Sequence, residues 1–182
     1  DELSPVERPV AALANTARYL YRLLRDQRFK LTPDLLLELH TLAAEGTVEN
    51  GGVYRKSEGK PLVAGHAPAA HEVLPRLVEN ALDWFSTEAF AELHPVEQAW
   101  LVHLRLLDLQ PFERVGDRLA RVIASAYTVR AGLPPVIVRA QDAALYNEAL
   151  TYSFRIVTQP GVELFARSLI PYIDEMIALV RD

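Results

Sequence analysis

Apolar residues recur at the three-and-four spacing of an amphipathic helix along most of the chain. Val10, Leu13, Ala14, Ala17, Leu20, Tyr21 and Leu24 form the first such stripe. It predicts a helix over about 8–26, with Pro9 in a first turn where a missing N–H loses no hydrogen bond. Thr32-Pro33-Asp34 has the order of cap, first-turn proline and first-turn acid. The helix it opens is predicted to run to Glu45 and to stop at Gly46. A further helix is predicted over 71–85. His94-Pro95-Val96-Glu97 begins another, and from 96 to 109 its pattern is apolar on nearly every face. Only Glu97, Gln98, His103, Arg105 and Asp108 interrupt it, which marks a central, buried helix. Leu119, Val122, Ile123, Ala126 and Tyr127 mark the next, ended by Gly132 and Pro134-Pro135. Two last helices are predicted over 142–157 and 162–181, separated by Gln159-Pro160-Gly161.

Residues 47–70 break the period. They hold Gly51, Gly52, Gly59, Gly65 and two prolines. Stretches 53–56 and 61–64 are short enough to pair as a small β-hairpin across a polar turn. The chain reads as mainly α, with this hairpin as its one β element.

Composition narrows the function classes. A length of 182 residues, half of them hydrophobic, predicts one domain, 1–182, with a full core. Charged residues make up 24% and the formal net charge is −5. A mildly acidic chain without a basic stripe is a poor nucleic-acid binder. No apolar run approaches the roughly 18 residues of a membrane span, and no signal-peptide pattern opens the sequence. The absence of cysteine excludes thiolate metal sites and fits a cytoplasmic protein.

The most informative segment is Gln110 to Arg121, QPFERVGDRLAR, between two helical runs. It resembles the signature loop of the Fic (fido) family, whose motif reads H-P-F-x-D-G-N-G-R, usually with another Arg three residues on. Pro111, Phe112, Arg118 and Arg121 match. Gln110 stands at the family's His, Arg114 at its acid, Val115 at its first Gly, Gly116 at its Asn and Asp117 at its second Gly. Other pieces follow the family's order. These are Leu39-His40, the Gly51-Gly52-Val53-Tyr54-Arg55 stretch, Leu77 to Trp84, the run from His94 to Phe112, Arg130 to Pro135, and Asp142, Tyr146 and Ala149-Leu150. The resemblance covers about 35–170. It implies a Fic-type helical bundle around a central buried helix pair. It also implies a hairpin flap near residues 60–65, from Lys60 to Gly65, along which a target protein chain is laid by strand addition.

The family's usual reaction is AMP transfer from ATP to a protein hydroxyl. The resemblance gives the motif His the role of general base, a task for a side chain that titrates near neutrality. Gln110 can orient a group but cannot take its proton. The family's acid holds magnesium, and Arg114 puts a positive charge in its place. Asp117 sets a carboxylate where backbone amides would otherwise hold phosphate. Arg118 and Arg121 remain as anion partners. They share one face at a helix N-terminus, where the dipole also favours anions. Arg114 and the Gly116 backbone complete the candidate nucleotide-binding set, for an ATP-like ligand without magnesium. The bland reading is that both motif arginines pair with Glu113 and Asp117, and that Phe112 is core.

No replacement base stands out: Glu113, Asp117 and His66 are the weak candidates. No two of the five histidines have the i, i+4 spacing of a helical metal pair, so no metal site is expected. His103 reads as a hydrogen-bonded core residue. Thr41 to Gly46 fits a loose inhibitory pattern of the family, but on the Leu-His helix rather than where an inhibitory helix lies, and Gly46 is explained by helix termination.

Two functions compete. One is a Fic-fold pseudoenzyme that acts by binding a protein segment through the flap, a nucleotide, or a second copy of itself as a homodimer. The other is a transferase of altered chemistry, its phosphate-bearing donor held by Arg114, Arg118 and Arg121. An enzyme needs an acid or base facing a pocket. A pseudoenzyme is expected to tie its arginines to Glu113 or Asp117 and to fill the pocket with Val115.

Overall fold

The computed structural model describes residue 4 and residues 7–26, 29–47 and 51–181. Eight α-helices carry the described fold: α1 Glu7–Leu23, α2 Pro33–Ala44, α3 Leu74–Trp84, α4 Glu88–Ala91, α5 Pro95–Leu109, α6 Gly116–Arg130, α7 Ala143–Ser153 and α8 Gln159–Arg181. Short 3₁₀ turns, His71–Val73 and Ala140–Asp142, lead into α3 and α7.

The helix starts follow their sequence signals. The Thr32 hydroxyl accepts from the Leu35 amide at 3.2 Å, and Pro33 takes the first helical position. His94 Nδ1 accepts from the Val96 amide at 3.2 Å ahead of α5. Pairing of α5 with α6 is the most extensive helix contact, and α1 covers α2 and α6 while α8 covers α7 and α5. Ala99, Trp100, Val102 and His103 are fully buried along α5, as an all-round apolar helix must be.

Two boundaries differ from the sequence pattern: the helix expected over 142–157 ends at Ser153, and the last helix starts earlier than 162. Gln159-Pro160-Gly161 is the first turn of α8, not a break before it. The Thr158 carbonyl accepts from the Gly161 and Val162 amides at 3.1 and 3.2 Å, and a proline in a first turn costs no bond. Gly161 is needed there because a Cβ would lie 1.8 Å from a Trp100 ring carbon. The four-residue α4 was not foreseen. Thr87 caps it through its hydroxyl at 3.3 Å, and it delivers buried Phe90 to a cluster with Trp84, Phe85 and Tyr127.

The expected hairpin is absent: no strand occurs among the described residues, and 53–56 does not pair with 61–64. The physical reason is that the backbone groups of this segment are engaged elsewhere. The Arg55 amide donates to the Pro111 carbonyl at 2.9 Å. The carbonyls of Ser57 and Ala69 accept from the Arg55 guanidinium. Lys60 gives both its amide and its carbonyl to the Gln110 side chain, and Pro61 has no amide to give. Side chains, rather than a ladder, hold this loop on the bundle. Among the described residues no helix is long and apolar enough to cross a membrane.

Candidate functional site

The motif loop joins the C-terminal end of α5 to the N-terminal end of α6, the two helices that form the core pair. Gln110 ends α5 in the left-handed region (φ 44°), its amide still bonded to the Leu106 carbonyl at 3.0 Å. Val115 starts α6 with φ 63°. A β-branched residue is strained there, at a cost of roughly 1–3 kcal/mol. The position keeps the backbone conformation of a glycine without the glycine. Val115 is partly buried and packs against the core, which offsets some of that cost.

His40 supports the loop from below. Its Nε2 meets the Arg114 carbonyl at 3.0 Å, and its Nδ1 accepts from the Gly52 amide at 3.0 Å. A carbonyl needs a donor and an amide needs an acceptor, so the two partners fix the neutral tautomer with its proton on Nε2. The ring lies flat on Phe112, centroids 3.7 Å apart. Burial pushes the His40 pKa below its ordinary value, against the Arg114 contact.

Arg55 is the second support. It is 4% exposed. Its guanidinium donates to the carbonyls of Gln110 at 2.7 Å, Ser57 at 2.6 Å, Leu109 at 3.3 Å and Ala69. The charge sits against the C-terminal end of α5, where the helix dipole favours a cation. Sequence reasoning gave Arg55 no role. Its signals were a charge in the glycine-rich stretch and its place at the end of the Gly51-to-Arg55 match to the family.

Gln110 points into the 51–70 loop. Its Oε1 accepts from the Lys60 amide at 3.0 Å and its Nε2 donates to the Lys60 carbonyl at 2.6 Å. The contact depends on Gly59, since a Cβ there would come within 2.9 Å of Gln110 Oε1 and 2.6 Å of Pro68. The side chain at the motif-base position is therefore engaged at both ends and carries no titrating group.

The remaining candidates divide. Glu113 is exposed and accepts from the Ser57 hydroxyl at 3.0 Å. Asp117 does not cap α6 or pair with Arg118; it reaches Arg121 at 3.7 Å. Arg114 and Arg118 are exposed, and among the described residues neither guanidinium has an ion-pair or hydrogen-bond partner. Gly116 leads the first turn of α6, which no side chain caps. His66 has both ring nitrogens occupied, Nε2 by Asp108 at 3.1 Å and Nδ1 by the Leu62 amide at 3.4 Å, and its ring stacks on Phe154. Among the described residues, Glu58, His71 and Glu72 bring possible metal-ligand atoms within 4.8 Å of one another. The two carboxylates take opposite nitrogens of the His71 ring, the geometry of ion pairing rather than of convergence on one ion.

His103 is fully buried on α5, with Nε2 at 2.7 Å from the Tyr146 hydroxyl. Burial, with the Arg121 charge second, lowers its pKa to about 3 from the ordinary 6.5. The unfolded chain takes up this proton near pH 6.5 and the fold only near pH 3. Stability from the neutral ring is thus intact above pH 6.5 and falls by about 1.4 kcal/mol per unit below it. His40 adds to the loss in the same direction. Urea midpoints at pH 7 and pH 4.5 are expected to drop further for the native chain than for His103→Gln. Equal drops would show that His103 does not hold this linkage.

Comparison with known proteins fits this loop and core. The sequence model of the Fic/DOC family matches residues 30–128, and the chain belongs to that family. It is 31% identical over 170 residues to a protein adenylyltransferase Fic of Nematostella vectensis, covering 93% of this chain and 39% of the relative. The Drosophila willistoni protein of the same description is 32% identical over 142 residues, 77% of this chain and 28% of the relative. The chain thus spans well under half the length of these relatives. Among solved structures, Fic-1 from C. elegans superposes with a TM-score of 0.87 at 21% identity, over 99% of this chain and 53% of that one. IbpAFic2 tethered covalently to Cdc42 superposes with a TM-score of 0.55 at 20% identity, over 71% of this chain and 41% of that one. Likeness at these identities speaks for the fold.

Proposed function

We propose that this chain is a Fic-fold binding protein without the family's AMP-transfer chemistry, a pseudoenzyme that keeps an anion pocket at the start of α6. The observation that carries the reading is the state of Gln110. Its amide is tied at both ends to the Lys60 backbone, so the motif-base position holds a structural contact instead of a proton acceptor. Arg114 replaces the metal-binding acid, and a guanidinium repels a cation. The anion side is in better order. Arg114 and Arg118 are open, α6 is uncapped, and Arg121 is held only loosely by Asp117. The proposed ligand is a nucleotide such as ATP, bound without magnesium. A protein partner is proposed to lie along the exposed loop from Lys60 to Gly65, since IbpAFic2, which shares the fold, has been solved tethered to Cdc42 and in complex with adenylylated Cdc42.

The unpaired Arg114 and Arg118 favour a second reading, a transferase whose phosphate-bearing donor is held by Arg114, Arg118 and Arg121. Each base candidate already has a partner: Glu113 is bonded to Ser57, Asp117 pairs with Arg121, and both His66 nitrogens are occupied.

Calorimetric titration with ATP, with and without magnesium and repeated on Arg118→Ala, tests the pocket. Binding indifferent to magnesium and lost in the variant is expected. No heat from the native chain would remove the nucleotide from the proposal. Gln110→His is expected to leave the protein inactive, because Arg114 still excludes the metal. AMP transfer by that variant with ATP and magnesium would overturn the pseudoenzyme reading.

A further inference from the structure

Two helices of this fold end in the same backbone motif with different residues at its centre. At the end of α6 the Gly132 amide donates to the Val129 carbonyl and the Leu133 amide to the Thr128 carbonyl, both at 3.0 Å, with Gly132 at φ 78°. At the end of α7 the Ile156 amide donates to the Ser153 carbonyl and the Val157 amide to the Tyr152 carbonyl, again at 3.0 Å. The central residue there is Ile156, at φ 70°. Glycine is the usual residue in this left-handed position, because a Cβ is penalised there and a β-branched one most of all. Val115 bears a similar strain but is partly buried against the core. Ile156 is 93% exposed, so packing within the described fold does little to offset its cost. Glycine would serve the turn better, as it does after α6.

Scattered apolar residues on a surface need no explanation. A β-branched residue held at positive φ in near-full exposure carries a cost that they do not. Its neighbours are also open: Tyr152, Val157 and Leu62 are exposed. One imidazole ties Leu62 to this turn. His66 Nδ1 accepts from the Leu62 amide at 3.4 Å, and its ring stacks on Phe154 with centroids 4.2 Å apart. The loop that carries Lys60 and Leu62 is thereby held against the end of α7. Lys60 and Arg155 are exposed, and among the described residues neither side-chain charge has an ion-pair or hydrogen-bond partner. The Asp108 carboxylate that His66 contacts is also held by Arg105.

We propose that the 152–157 turn and Leu62 form one docking surface for a protein segment that carries an apolar side chain between acidic residues. The apolar side chain covers Ile156, and the flanking carboxylates meet Lys60 and Arg155. A second copy of this chain is a poor occupant, because a two-fold contact would set each cation near its own twin. The inference rests on the partner reading of the 60–65 loop and names that partner's chemistry.

Two measurements test it. The first is thermal unfolding of Ile156→Gly. A rise in Tm of about 3 °C is expected from relief of the left-handed position. An unchanged or lower Tm would show that Ile156 bears no strain and would overturn the inference at its base. The second is a proton–nitrogen titration with the capped peptide DDLFDD and, in parallel, with KKLFKK. Shifts at both 60–66 and 152–157 are expected with the acidic peptide alone. Ile156→Gly is expected to weaken that binding by about tenfold while the fold becomes more stable, a pairing that a purely structural residue would not give. Shifts at 60–66 alone, or equal affinity in Ile156→Gly, would overturn the role of the turn and leave the loop reading standing. Shifts at 152–157 alone would overturn the loop reading and the joint surface with it. Equal binding of both peptides, or of neither, would overturn the proposed chemistry of the partner.

Discussion

Arg55→Met is expected to lower the free energy of unfolding by about 4 kcal/mol, a large share of the roughly 5–15 kcal/mol by which a domain is stable. Methionine keeps the length and apolar stem of arginine and removes its donors. The carbonyls of Gln110, Ser57, Ala69 and Leu109 then lose the guanidinium that satisfies them. An orphaned buried polar group costs about 1–3 kcal/mol, and partial hydration of an opened loop lowers the sum. The last carbonyls of α5 would also lose the cation that their dipole favours. The effect should be local before it is global. Amide hydrogen exchange is expected to rise first across 51–70 and the motif loop, with α1 and α8 still protected. Urea unfolding measures the size of the loss. Arg55→Lys is expected to recover part of it, because three donors remain on a shorter reach. A loss under 1 kcal/mol for Arg55→Met would show that the guanidinium is not what holds this segment.

Gly161→Ala is expected to cost about 3 kcal/mol or to prevent folding. A methyl at this position would sit 1.8, 2.1 and 2.4 Å from three carbons of the Trp100 ring. Trp100 is fully buried and donates through its indole to the Ser153 hydroxyl at 3.1 Å. It cannot step aside without breaking that bond and opening space beside Phe165. Overpacking a tight core costs about 1–3 kcal/mol, and more where the neighbour cannot move. A double-mutant cycle separates this clash from any backbone effect of alanine. With Trp100→Phe in place, the added cost of Gly161→Ala should fall by half or more. Additive losses would place the effect in the α8 backbone and not at the indole.

The helical frame was legible because it rests on period and caps. The stripe from Val10 to Leu24, the Thr32 cap and the all-round apolar α5 each carry a local signal that packing reinforces. The loop from 51 to 70 was not, because its order comes from contacts distant in sequence. Its short apolar stretches suit strands, but the Arg55 amide goes to Pro111 and the Leu62 amide to His66, while the Arg55 and Gln110 side chains hold Ser57, Lys60 and Ala69 around them. The Gln159-Pro160-Gly161 turn misled for a related reason. Proline and glycine together read as a break, yet here the proline sits in a first turn and the glycine makes room for an indole 61 residues earlier. In the site, the motif substitutions were plain from the sequence alone. The partners of Gln110 and His40, and the contact of His103 with Tyr146, were not. They join residues far apart in sequence, and no spacing along the chain announces them.

The bond between Gln110 and Lys60 bears on how the chain can change by descent. Histidine and glutamine codons differ only in their third base, so one nucleotide change separates this residue from the family's motif. The two side chains are not equivalent to Lys60. An amide presents a donor and an acceptor side by side, matching the N–H and C=O of one residue, whereas an imidazole presents its two nitrogens on opposite edges. Gly59 leaves room for the amide oxygen, which lies 2.9 Å from where a Cβ on it would stand. A revertant at this codon would regain a titrating ring and give up an anchor of the loop beside it. The substitution that a single base change makes most accessible at this codon is therefore also one that loosens the loop.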